Sequence, residues 1–201
     1  MDSDAQHLAT AIGARVRGER TARGWTLDRL AEVAGISRRM IVNVEQGAVN
    51  PSIGTLLRLS DALGIGLPSL VAPLEGNRPK LTRAGSGVVL WSSPSGGRAV
   101  LVAGTEPPDV VELWEWLLAP GDAHESEAHA SGTRELLQVI EGRLAVTLAD
   151  ESFVLDAGDA LTFAGDEAHA YANPGTTTTR FSMTVYEPGV GAGRRGESSH
   201  V

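Results

Sequence analysis

At 201 residues, with 42% hydrophobic and 21% charged side chains, the chain has room for one large soluble domain or two small ones. It contains no cysteine, so disulfides and thiolate ligands are excluded, and any metal must be held by nitrogen and oxygen. No apolar run is long enough to span a bilayer, and the opening "MDSDAQH" is too acidic for a signal peptide. These features point to a cytoplasmic protein without membrane contact. The net charge of −8 argues against nucleic acid until the chain is divided. Residues 1–71 carry eight basic and seven acidic side chains, net +1, whereas residues 72–201 carry nine and eighteen, net −9. Only the first part is suited to approach a phosphate backbone.

From Ala5 to Leu70 the apolar spacing is helical. Ile12 and Val16 mark a first amphipathic helix that ends at the Arg23–Gly24 turn. Thr26 can cap a second, carrying Leu30, Ala31 and Ala34 inward and stopping at Gly35. Ser37 can cap a third, "SRRMIVNVEQG", with Ile41 and Val44 toward the core and Gly47 as its stop. "NPSIGTLLRLSDALG" starts a fourth, and a short fifth runs through Pro68–Val71. Helices two and three, joined by "AGI", have the lengths and turn of a helix-turn-helix. A solvated helix face on a protein-binding bundle is the competing reading of "SRRM".

The stretch from Gly24 to Ile65 closely resembles the repressor-type XRE family, which shares the lambda-repressor fold. The agreement runs through Leu30–Ala31, Gly35, Ser37, Ile41, Glu45, Gly47, Asn50–Pro51 and Leu63–Gly64. The resemblance implies that the third helix enters the major groove of double-stranded DNA. Arg38, Arg39 and Asn43 would then face bases, with Thr26, Ser37 and Asn50 at the DNA surface. Arginine suits guanine through its two donors, and asparagine suits adenine. The family also implies a structural pair between Arg20 and Glu45.

Residues 72–87 mix Pro, Gly and charge without periodicity and read as a linker. Beyond them, short apolar runs alternate with turn signals: Val88–Trp91, Ala99–Val102, Val110–Leu118, Leu136–Ile140, Leu144–Leu148, Phe153–Leu155, Ala160–Phe163, Ala168–Ala172 and Thr179–Tyr186. This spacing predicts an antiparallel sandwich or barrel over residues 88–187, followed by a disordered tail at 188–201. Trp114 and Trp116 share a strand face with Leu118 and read as core or dimer packing. His124, in a Gly-Asp-Ala loop, reads as a surface histidine.

Two stretches, "EAHASGTRELLQVIEGRLAV" and "GDALTFAGDEAHAYAN", resemble the paired signature motifs of the cupins, small jelly-roll barrels. His129, Glu135 and Gly142 match the first, and Gly158, His169 and Asn173 the second. The resemblance implies that His129, Glu135 and His169 converge as metal ligands. Two imidazoles and a carboxylate are the donor set of facial-triad iron sites. The chain departs from the family at Glu127, where a first metal histidine is usual, and at Ala164 and Asp166, where proline and glycine are usual. If residues 127 and 129 share a strand face, Glu127 joins the pocket together with Tyr171. A divalent ion (Mn, Fe, Ni or Zn) and a metal-free polar pocket for a small effector both remain open.

The expected architecture is α+β in two domains: an all-α five-helix lambda-repressor-like domain and an all-β cupin barrel. The expected function is transcription regulation rather than catalysis, by a homodimer that binds a DNA operator and senses a small molecule. The alternative is a cupin metalloenzyme with a fused helix-turn-helix-like domain, as in the hydroxypropylphosphonate epoxidases. A regular DNA half beside an irregular metal half favours the regulator.

Overall fold

The computed structural model describes residues 2–71 and 79–191, with side chains from Gln6 onward. Among the described residues the chain divides into two compact units, a helical one of residues 2–71 to which residues 106–108 and 189–191 also belong, and a β unit of residues 79–105 and 109–188.

The helical unit comprises α1 (Asp2–Ala22), α2 (Leu27–Ala34), α3 (Arg38–Glu45), α4 (Ile53–Leu63) and α5 (Gly66–Val71). Each of the three middle helices starts at a hydroxyl cap. The side chains of Thr26, Ser37 and Ser52 accept from the backbone N–H of Arg29, Met40 and Thr55, satisfying one orphan donor apiece. Gly35 ends α2 at φ 63°, a left-handed conformation that costs a glycine nothing. Ile12, Val16, Leu30, Ile41, Val44, Leu56 and Leu59 form the core. Full burial of such side chains contributes roughly 1.5–3 kcal/mol each. Gly13 lets α1 approach α3: a Cβ there would lie 2.3 Å from the carbonyl oxygen of Val44.

The β unit contains β1 (Val88–Ser92), β2 (Arg98–Gly104), β3 (Val110–Leu118), β4 (Ala123–Ser126), β5 (Arg134–Glu141), β6 (Arg143–Leu148), β7 (Glu151–Asp156), β8 (Ala160–Ala164), β9 (His169–Ala172) and β10 (Thr179–Glu187). They form a six-stranded sheet in the order β1-β2-β3-β10-β5-β8 and a four-stranded sheet β4-β9-β6-β7, with antiparallel pairing throughout. The expected jelly roll is present, but the two sheets do not close into a hydrogen-bonded barrel. They meet face to face instead, through bulky aromatic side chains. Trp116 on β3 stacks on Phe181 of β10 with centroids 5.7 Å apart, and Tyr171 of the opposite sheet lies 5.5 Å from Trp116.

Residues 72–78 of the expected linker and 192–201 of the expected tail lie outside the described residues. Residues 79–87 form no helix and no strand before Gly87. The order continues past Glu187, however: Pro188–Gly191 form a turn in which Val190 is buried.

Candidate functional site

In the helical unit, the inward face of α3 is anchored by Ile41 and Val44 and by an ion pair at its end. Arg20 Nε lies 2.6 Å from Glu45 Oε1, Arg20 Nη2 donates to Glu45 Oε2 at 2.9 Å, and Nη1 donates to the Trp25 carbonyl at 2.8 Å. The carboxylate of Glu45 in turn raises the pKa of the arginine. The outward face carries exposed Arg38 and Arg39 and half-buried Asn43, with exposed Thr26 and Asn50 nearby in the chain. Thr26 and Ser37 act as helix caps, so each has a structural role whether or not it meets DNA. Arg39 forms no ion pair among the described residues. Arg38 Nε lies 3.0 Å from Asp28 Oδ1.

In the β unit, side-chain alternation places Glu135 on the inner face of β5, and β9 places His169 and Tyr171 on the inner face opposite. Glu135 Oε1 lies 2.9 Å from His129 Nε2 and 3.3 Å from His169 Nε2. Glu135 Oε2 accepts from the Tyr171 hydroxyl, and His169 Nδ1 lies 2.8 Å from the carbonyl oxygen of Glu167. That carbonyl orients the ring so that Nε2 faces the carboxylate. Burial works to raise the pKa of Glu135, but the two imidazoles outweigh it and bring the carboxyl down to about 2. His169 loses basicity to burial and regains more from Glu135, a net rise.

One ligand atom from each of His129, Glu135 and His169 lies within 4.8 Å of the others. Despite their closeness, Glu135 Oε1 and His169 Nε2 are buried without an angularly sound hydrogen bond. Lone pairs converging on one point, buried and without protein partners, fit a divalent cation held by two nitrogens and an oxygen.

Other residues fall differently from expectation. Residues 127 and 129 do not share a strand face, because β4 ends at Ser126 and Ser126, not Glu127, pairs in register with His169. Glu127 is exposed and lies outside the cluster of ligand atoms. His124 is not a surface residue. It pairs in register with Tyr171, and its ring lies 5.3 Å from Trp91 and 5.0 Å from Trp116. Burial, then repulsion from His169, lowers its pKa to about 4, so the ring is neutral at pH 7.

Trp116 is buried, as its strand face implies, and Glu112 escaped the sequence reading. Trp116 Nε1 is buried and has no hydrogen-bond partner among the described residues. Glu112 is buried on the inner face of β3 in one cross-strand row with Val185 and Glu135. It accepts from Trp114 Nε1 at 2.8 Å, and burial, reinforced by Glu187, raises its pKa to about 8. The alternation of Val110–Leu118 already puts position 112 inside. Asn173 and Gly142, by contrast, have structural roles. Asn173 Nδ2 donates to the carbonyls of Leu118 and Thr177, and a Cβ on Gly142 would lie 2.6 Å from the Thr178 oxygen.

Comparison with known proteins matches these features. A Helix-turn-helix family model covers residues 16–70 and a Cupin domain model residues 114–186. The HTH-type transcriptional regulator SutR of Escherichia coli strain K12 is 26% identical over 183 residues, 91% of this chain and 98% of the relative. PuuR from the same organism, also an HTH-type transcriptional regulator, is 24% identical over 164 residues, 81% of this chain and 88% of its own. The crystal structure of an HTH_3 family transcriptional regulator from Vibrio cholerae superposes with a TM-score of 0.71 at 24% identity, covering 92% of this chain and 99% of the other. The chain thus carries an XRE-type helix-turn-helix domain followed by a cupin domain, and is homologous to the HTH-type transcriptional regulators SutR and PuuR.

Proposed function

We propose that this protein is a cytoplasmic, homodimeric transcription regulator that reads a double-stranded operator through α3 and senses a small molecule in its cupin interior. In this reading residues 1–71 bind DNA, 72–87 connect, and 88–187 receive the effector. The observation that carries it is the exposed Arg38, Arg39 and Asn43 face on a helix whose opposite face is anchored by Ile41, Val44 and the Arg20–Glu45 pair. Such a helix presents guanine- and adenine-reading side chains on a backbone that its buried face holds in place. A dimer supplies two of them, matching a two-fold operator with half-sites about one helical turn apart.

His129, Glu135 and His169 would hold a divalent ion, and the ion would offer its remaining coordination positions to an effector with an oxygen or nitrogen donor. Tyr171 orients Glu135, and neutral His124 and Trp116 form an aromatic wall of the same interior. Effector binding regulates only if it favours one arrangement of the DNA-reading helices over another. The unsatisfied triad also supports a second reading, a non-haem metalloenzyme, which requires turnover of a small substrate and indifference to substitutions at Arg38 and Arg39.

Metal analysis and native mass spectrometry of wild type and His169→Ala test the sensing part. The account expects a metal ion or a small molecule carried by the wild type and missing from the variant, with operator binding retained. Equal metal content and the same bound-ligand mass increment in both proteins would show that His169 holds nothing.

A further inference from the structure

We infer that Asp28 is a positioning residue for base recognition: its carboxylate draws the Arg38 guanidinium from the Nε side and leaves the Nη1–Nη2 edge to face a guanine. The inference rests on the proposed DNA-reading role of α3. Asp28 is the second residue of α2 and Arg38 the first of α3, so the 3.0 Å ion pair spans the turn of the helix-turn-helix. The neighbouring base is already engaged, since Arg29 Nη1 donates to Glu32 at 2.9 Å. Both partners of the Asp28–Arg38 pair are exposed, with side chains 77% and 59% accessible, so the pair contributes little to folding.

Its value arises on the nucleic acid. A long arginine side chain loses rotamer freedom when it orders against a base, and a carboxylate at Nε restricts that freedom in advance. Guanine O6 and N7 accept two parallel N–H donors, and a carboxylate on the Nε side leaves the terminal pair of nitrogens to supply them. Water exclusion in the groove then strengthens a contact that is weak in solvent. The same carboxylate repels phosphates wherever the protein lands. Asp28 should therefore weaken binding to every sequence slightly while sharpening the choice among them, two effects of opposite sign. The competing role is a simple one: an acidic residue in the first turn of α2, favourable to the helix dipole. That role predicts a change in thermal stability with no change in base preference.

Selection from a randomised duplex library by the full-length protein separates these roles, using wild type, Asp28→Asn, Arg38→Ala and the double variant. We expect Asp28→Asn to enrich the wild-type site with discrimination reduced about fivefold at the position that Arg38→Ala flattens. Its affinity for random-sequence duplex should equal or exceed that of wild type, and adding Asp28→Asn to Arg38→Ala should change no preference further. Unchanged preferences in Asp28→Asn, or loss at positions indifferent to Arg38→Ala, would overturn the inference while leaving the DNA reading intact. A wild type that enriches no site would overturn both.

Discussion

The helical unit and the β unit treat their polar groups in opposite ways. Within the helices, charged and polar side chains near the core are tied off by caps and by the Arg20–Glu45 pair. Among the described residues, the one buried exception is Arg15 Nε, 3.3 Å from Glu19. The β interior instead retains Glu112 Oε1, Trp116 Nε1, Glu135 Oε1 and His169 Nε2 without hydrogen-bond partners. An unsatisfied buried polar group costs roughly 1–3 kcal/mol, and a fold retains several together most readily where something else completes them. One unit thus ties off its polar groups, whereas the other leaves several open inside, which is what the proposed ligand would complete.

Perturbing the helical unit should break that contrast most sharply. Gly13→Ala forces α1 and α3 apart, because the new methyl would sit 2.3 Å from the Val44 oxygen. A loss of about 3 kcal/mol is expected in denaturant unfolding of the helical signal. Glu45→Ala removes two of the three acceptors of Arg20 and leaves a guanidinium only slightly exposed, at a cost of about 2 kcal/mol by the same measurement.

The β unit should respond to pH. Glu112 has a folded-state pKa raised from 4.5 to about 8, so the folded chain holds a proton that the unfolded chain has released. Its stabilising contribution is therefore complete below 4.5, declines as pH rises, and is lost once pH passes about 8. Glu112→Gln should flatten the profile across that window, measured as urea midpoints against pH. The smallest change expected is Thr26→Ala, which deletes one cap and should cost about 1 kcal/mol.

Legibility followed the same division. Caps and stops are local signals, so Thr26, Ser37 and Gly35 were readable from the chain, and the elements they bound appear where expected. The Arg20–Glu45 pair, across 25 positions, came only through family resemblance. In the β half the long apolar runs became strands, yet β4 has only four residues, Ala-His-Glu-Ser, and no apolar alternation to betray it. With its end at Ser126 invisible, the parity of 127 and the inward direction of His124 were both misread. Which strands pair at the sheet edges, and hence that the two sheets do not close into a hydrogen-bonded barrel, depends on long-range partners that no local pattern encodes.

The central claim, that the exposed face of α3 reads a specific DNA sequence, is tested most directly by footprinting genomic fragments with wild type, Arg38→Ala and Arg39→Ala. The account predicts a discrete protected segment with two-fold related halves about one helical turn apart, or a multiple of it, and a loss of about 1–3 kcal/mol for an arginine that reads a base. No protected segment for the wild type, with both variants binding bulk DNA as it does, would contradict the claim.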